Sequence, residues 1–246
     1  MSHPEQQAFI AALALRNRSL VHGGRVLEVG SYDVNGSVRS MFEEAREYVG
    51  VDLTPGPSVD HVGYGHEYGE PDGSFELAIS GSCFEHDPHW QDTLANMVRL
   101  TRPGGLVAAT FASRGFPEHG TRRTMVADSP GTQAEGLDYY RNLDEADFAE
   151  LPMSTWFSTW KLWYVPTTFE MYLAGIRSGG DVGASIALDS DVAAIRSLMP
   201  LPHRMVRWPL RLAGRVVGYD DRYQRVVLPY WMAMFRLAGG RGRRET

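Results

Sequence analysis

The 246-residue sequence holds one cysteine, Cys83, and one lysine, Lys161. A single thiol excludes an intramolecular disulfide and any cysteine-rich metal site. It fits a reducing compartment, and cytoplasmic localisation is the expectation. Arginine supplies the other cations, a bias that follows from a GC-rich genome but also suits planar anions. No run approaches the roughly 18 apolar residues of a membrane span. The first residues, MSHPEQQAFIAALALRNRSL, lack a basic start and a long apolar core, so no secretory signal is expected. The formal net charge of −6 argues against nucleic acid as a partner. There is no internal repeat and no low-complexity tract. The hydrophobic share, 43%, is that of an ordinary globular chain with enough apolar surface for one α/β domain and an extension.

What is present alternates. Residues 4–20 carry Ala8, Phe9, Ala12 and Leu13 at helical spacing. Short apolar strands are expected at 25–29, 47–53, 58–62, 74–80 and 105–112. Helices are expected at 37–45 and at 90–101, the latter stopped by Pro103-Gly104-Gly105. The alternation predicts a mostly parallel sheet with helices on both faces. Residues 113–150 lack periodicity, and a loop of that length is functional or mobile. The aromatic-rich 156–177 reads as an antiparallel edge hairpin, and three helices are expected within 189–199, 203–217 and 222–238. Ser-Gly-Gly-Asp near 180 divides a domain over 1–180 from a basic helical extension over 181–246.

Four segments in order, VLEVGS…NGS, YVGVDL, SFELAISGSCFEHDPHW and RLTRPGGLVAAT, resemble class I S-adenosylmethionine-dependent methyltransferases. The resemblance covers residues 20–112, more loosely to 177, and is closest to the type-11-like domains. It implies a Rossmann-like α/β fold with a seven-stranded sheet. A dinucleotide oxidoreductase shares the glycine loop and the later acid but is not expected to share LTRPGG or FEH. The resemblance implies S-adenosylmethionine as cofactor. It places the methionine end near Glu28, Gly30, Ser31 and Gly36, the ribose hydroxyls on Asp52 beside Leu53, and adenine near Tyr64 and Gly65, with Ser82 also in the cofactor set. Tyr32 stands where the family has one of its glycines, and Gly36 comes late.

Methyl transfer to a hydroxyl needs a base, and histidine is the usual one. His86 follows Glu85 at the carboxyl edge after the fourth strand, and His119 lies in the loop after the fifth. Related methyltransferases of ubiquinone and small RNA bind a divalent cation through ExxEH and a later histidine. Here Ser82 replaces the first glutamate, which leaves Glu85, His86 and His119 as the catalytic candidates and as a candidate Mg2+ site. Asp138, Tyr139, Tyr140 and Arg141 offer a carboxylate, two rings and a forked donor, groups suited to a polyhydroxylated acceptor. A looser resemblance to saccharide O-methyltransferases, such as the mycobacterial methylmannose polysaccharide type, implies a sugar or glycoside acceptor. A small phenolic acceptor, and a non-catalytic cofactor-binding scaffold, are the alternatives.

The segment 203–245 carries ten arginines and three acids. It reads as a helical appendage packed on the core or across a homodimer, or as a basic amphipathic face in peripheral contact with a membrane. Pro209 and Pro229 are expected to interrupt its helices. The final GGRGRRET is expected to lack fixed structure.

Overall fold

The computed structural model describes residues 4–34, 36–181 and 183–242. Asn35 of the glycine loop and residues 243–246 of the tail lie outside the described residues. In chain order, α1 (Pro4–Arg16) and α2 (Arg18–Val21) precede β1 (Arg25–Val29), β2 (Glu47–Asp52), β3 (His61–Val62) and β4 (Phe75–Gly81). Then come α3 (Trp90–Leu100), β5 (Thr101–Ala112), the short α4 (Pro130–Ala134) and α5 (Met153–Trp156), and the hairpin β6 (Phe157–Val165) and β7 (Glu170–Arg177). The chain closes with α6 (Asp189–Leu198), α7 (Leu201–Val217) and α8 (Asp221–Gly242).

The seven strands lie in the order β3-β2-β1-β4-β5-β7-β6. β1 to β5 are parallel, and β7 runs antiparallel to both of its neighbours. The order reverses between β1 and β4, the point at which open α/β sheets bind ligands at the carboxyl edge. One face of the sheet (Val26, Leu77, Leu106, Ala108) packs on Phe9, Ile10 and Leu13 of α1 and on Val192 and Ile195 of α6. The other (Leu27, Ala78, Val107, Phe111) packs on Leu94, Met97 and Val98 of α3. Apolar side chains on both faces explain why the parallel strands read as continuous apolar runs. The hairpin reaches the first core through Phe9, whose ring lies 4.7 Å from Tyr172 and 5.9 Å from Trp163.

Four local expectations give way. The helix expected at 37–45 shrinks to a 3-10 turn, Arg39–Phe42. Its end is tied back by Gly23 N donating to Glu44 O (3.0 Å) and Arg46 N to Gly24 O (2.8 Å), leaving no length for a full helix. The third strand keeps two residues, His61 and Val62. β5 begins four residues early because Thr101 pairs with Phe75, and the chain through Pro103-Gly104-Gly105 is taken up as an irregularity in the ladder. Pro209 and Pro229 sit inside α7 and α8 without ending them. No helix of the described residues is long and apolar enough to cross a membrane.

α7 and α8 close a third apolar cluster, in which Leu210, Tyr223 and Val227 meet Ala112, Phe116 and Phe169. Tyr223 Oη donates to Gly115 O (2.6 Å), and Gln224 accepts from Glu118 N (2.9 Å) and donates to Phe116 O (3.0 Å). These bonds join the C-terminal helices to the loop after β5.

Candidate active site

β1 ends at Val29, and the chain must turn at once above the sheet. Gly30 takes φ +80°, and a Cβ there would lie 2.5 Å from Cys83 Cβ, so glycine alone fits this approach. Tyr32, in the position of a family glycine, still serves through its backbone: Tyr32 N donates to Asp52 Oδ2 (3.0 Å), while Leu53 N donates to Oδ1 (2.8 Å). Burial raises the Asp52 carboxyl, and these backbone donors oppose that rise. Asp52, Leu53, Tyr64, Gly65, Gly30, Ser82 and His86 line one cleft of about 730 Å³, its open mouth included. Glu28, Gly30, Ser31 and Gly36 line a second recess that shares Gly30, Tyr32 and Gly81 with the first. The nine residues expected around a cofactor therefore line two recesses that share Gly30, Tyr32 and Gly81.

Those recesses suit S-adenosylmethionine on their own terms. Ser31 Oγ is buried without a partner, and a buried unpaired hydroxyl calls for a ligand or water. Glu28 is buried, accepts one bond from Tyr48 Oη (2.7 Å), and is pushed up to about 7 by burial. A cationic amino group there would restore its charge. Val29, Val34, Val51 and Leu53 supply apolar walls. The loop after β5 closes the cleft: Tyr64 Oη donates to Glu135 (3.2 Å), and a Cβ on Gly131 would lie 2.7 Å from Asp52 Oδ1.

The catalytic candidates come together beside the cleft. The 3-10 turn Phe84–His86 after β4 buries Glu85 and His86. His86 Nε2 and His119 Nε2 are 3.2 Å apart, and Tyr140 packs edge-on against both rings at 5.3 and 5.0 Å. Burial pulls His86 down to about 3 and pushes Glu85 up to about 7. One ligand atom from each of Glu85, His86 and His119 lies within 4.8 Å of the others.

The DYYR segment divides. Tyr140 joins the histidines and donates to Asn142 Oδ1 (2.7 Å). Asp138 instead accepts from Arg122 N (2.9 Å) and Gln133 Nε2 (3.3 Å), and Arg141 pairs with Asp147, so these two brace the loop itself. Arg141 N also donates to Glu85 O (2.8 Å), fixing the segment to the Phe84–His86 turn. Among the aromatic hairpin residues, Trp163 is core, with Nε1 donating to Asp189 (2.7 Å), whereas Trp160 faces outward.

Sequence reasoning missed Glu170, Thr110 and Ser113. All three are buried at the same sheet edge, and Glu170 Oε1, Thr110 Oγ1 and Ser113 Oγ have no partner. Glu170, whose other oxygen accepts from Tyr172 Oη (3.0 Å), is pushed up to about 8 by burial. The only signal was a lone charge inside the apolar run TFEMYLAGIR.

Residues 27–109, about a third of the chain, match the model of a methyltransferase domain family. The chain has the Rossmann-like fold of methyltransferases, a mostly parallel seven-stranded sheet with an antiparallel edge hairpin. Its fold matches Haemonchus contortus phosphoethanolamine N-methyltransferase 2, solved with phosphomonomethylethanolamine and S-adenosylhomocysteine, at TM-score 0.50 and 16% identity. The alignment covers 68% of this chain and 52% of that one, so the chain spans about half that protein's length. It matches the [4+2]-cyclase SpnF at TM-score 0.50 and 14% identity, over 72% and 81% of the two chains. A Burkholderia thailandensis 1,6-didemethyltoxoflavin-N1-methyltransferase, with S-adenosylhomocysteine bound, aligns at TM-score 0.48 and 19% identity over 72% and 80%. No curated protein sequence matches the chain. A methyltransferase and a cyclase on one fold mean that the reaction must be argued from the site.

Proposed function

We propose that this protein transfers a methyl group from S-adenosylmethionine to a hydroxyl of a sugar or glycoside. The observation that carries this reading is the His86–His119 contact beside the cofactor cleft. S-adenosylmethionine, when bound, supplies an electrophilic methyl group on a sulfonium. Glu28 and Ser31 would hold its amino acid end, Asp52 its ribose hydroxyls, and Tyr64 and Gly65 would flank its adenine. An alcohol is a weak nucleophile until its proton has somewhere to go. His86, kept neutral by burial, remains a hydrogen-bonding partner across the neutral range, and His119 would take that proton on Nε2 once this atom turns from His86 Nε2, 3.2 Å away, to the acceptor hydroxyl. A neutral amine would need no such base.

Two features support a polyhydroxylated acceptor. The unpaired oxygens of Ser113 and Glu170 sit at the same edge, and buried polar atoms call for polar partners; Thr110 lines the recess of Glu28 and Ser31 instead. Tyr140 offers a ring face beside the histidines. A phenolic acceptor is the second reading, favoured by Phe116, whose ring lies 5.2 Å from that of His119. Glu85, His86 and His119 also fit a divalent cation, but two imidazoles and one carboxylate suit zinc, manganese or iron. They suit Mg2+ poorly, since it prefers an all-oxygen shell.

Calorimetry with S-adenosylhomocysteine and NAD, followed by labelled methyl transfer to sugars, glycosides and phenols with and without EDTA, tests this reading. Binding of the first nucleotide alone and labelling of sugar hydroxyls that survives EDTA are expected. Labelling of phenols only would move the second reading forward. Binding without transfer to any acceptor would make the protein a scaffold. Loss in EDTA restored by Mg2+ would reinstate that cation.

A further inference from the structure

α7 is amphipathic in an inverted sense. Leu210 and Gly214 face the body of the protein and are buried. Leu201, Met205, Trp208, Leu212 and Val216, spaced four, three, four and four apart, share the opposite face and are 48–76% exposed. Leu198, at the end of α6, is 51% exposed and continues the apolar surface. Single exposed apolar residues are ordinary, but a continuous row of large ones marks a surface that something covers.

Charge decides what covers it. The chain is acidic overall, yet residues 192–219 contain five arginines and no acid. Their guanidiniums bond to uncharged atoms. Arg196 donates to Tyr164 O (3.0 Å), Arg204 to Met199 O (2.9 Å) and Arg196 O (3.0 Å), and Arg211 to Pro166 O (2.5 Å). Arg207 reaches Met199 Sδ at 3.7 Å, and Arg215 is exposed. None of the five forms an ion pair among the described residues. Arg207 turns inward toward Glu170 and Glu5, and Arg196 lies near Asp189, but Arg204, Arg211 and Arg215 have no acidic partner, and their positive charge flanks the apolar row. A second copy laid on this row would set arginines against arginines. An anionic surface with an apolar interior satisfies both features, and exposed Trp208 is the residue type enriched at a membrane interface.

We infer that α7 is a docking face for an anionic phospholipid bilayer. The helix lies in the plane of the interface, with Leu201, Met205, Trp208, Leu212 and Val216 in the acyl boundary and Arg204, Arg211 and Arg215 at the headgroups. Seventeen residues of helix span about 25 Å, which makes a contact that lies on the membrane without crossing it.

The test is co-sedimentation of the full chain with vesicles of phosphatidylcholine alone or with a third phosphatidylglycerol. Each arginine near an anionic surface contributes about a five-fold gain in partitioning. Binding to the anionic vesicles at least ten-fold above the neutral ones, weakened by high salt, is the expected result. Trp208→Ala and Leu212→Glu should abolish sedimentation while S-adenosylhomocysteine affinity and the circular dichroism spectrum stay unchanged, because both side chains are exposed. Arg215→Glu should weaken it without abolishing it. Equal binding to both vesicle types would overturn the charge argument, and sedimentation that survives Leu212→Glu would overturn the assignment to α7. No vesicle binding, with a dimer in light scattering that Leu212→Glu splits, would give the face to a second copy. No vesicle binding by a monomer would overturn the proposal outright.

Discussion

The two halves of the candidate site satisfy their polar atoms differently. On the β1–β2 side the backbone does it: Asp52 is held by the amides of Tyr32 and Leu53, and Gly36 N donates to Asp33 Oδ1 at 2.6 Å. On the β4–β5–β7 side, side chains answer side chains, and several answer nothing: Glu85 Oε2, Thr110 Oγ1, Ser113 Oγ and Glu170 Oε1 are buried without partners. The first half is organised mainly by the backbone, although Ser31 Oγ there is also buried without a partner. The second holds polar groups whose burial is costly while they lack partners. On the proposed function, cofactor recognition would thus belong to local backbone geometry, and acceptor recognition to groups brought from distant parts of the chain.

That difference governs what was legible. Gly30, Asp52, Tyr64 and Gly65 sit at strand ends and turns, where spacing along the chain fixes spacing in space, and the structure places all four on one cleft. The sheet was legible for the same reason, because parallel strands buried on both faces leave runs that few other elements produce. The 37–45 segment was misread because helical periodicity says nothing about the tethers at Gly23 and Gly24 that shorten it. Glu170, Thr110 and Ser113 could not be found by pattern, since what makes them notable is the lack of a partner. Asp138 and Arg141 show the converse: residue types suited to an acceptor turn out to brace their own loop.

The largest effect expected separates the halves outright. His119→Ala should lower kcat by roughly 10²–10⁴, the usual contribution of a positioned base, and leave S-adenosylhomocysteine affinity unchanged in calorimetry. Equal loss of binding and turnover would erase the division between a cofactor half and an acceptor half.

Glu170 tests the unsatisfied half through stability. Burial raises its folded pKa from 4.5 to about 8. Between those values the native state keeps a proton that the unfolded chain has released. Stability therefore falls as pH rises through that window and levels off above it. The shift amounts to a few kcal/mol. Glu170→Gln should flatten this dependence and raise Tm at pH 8 by roughly 5–10 °C. A Tm difference between wild type and Glu170→Gln that does not grow from pH 5 to pH 8 would show that Glu170 is charged and paired.

Asp52→Ala addresses the organised half. It removes the carboxylate expected to bind ribose and frees the amides of Tyr32 and Leu53. Hydrogen bonds to a charged group contribute about 1.5–3 kcal/mol, so S-adenosylhomocysteine should bind roughly ten- to a hundred-fold more weakly by calorimetry. Asp52→Asn, which keeps an acceptor oxygen, should recover part of that. Normal affinity in the alanine variant would move the ribose away from Asp52.

The smallest effect sharpens the boundary between a group that recognises an acceptor and one that holds a loop. Arg141 is exposed and spends its guanidinium on Asp147. Surface pairs contribute about 0–1 kcal/mol, so Arg141→Ala should change the acceptor KM by less than about five-fold. Its backbone N–H to Glu85 O survives the substitution, so kcat should hold as well. Asp147→Ala breaks the same pair from the other side and should match it. A large rise in KM for Arg141→Ala alone would mean that the guanidinium leaves Asp147 for an anionic group on the acceptor, and the acceptor half would then extend past the histidines to the exposed rim of the loop.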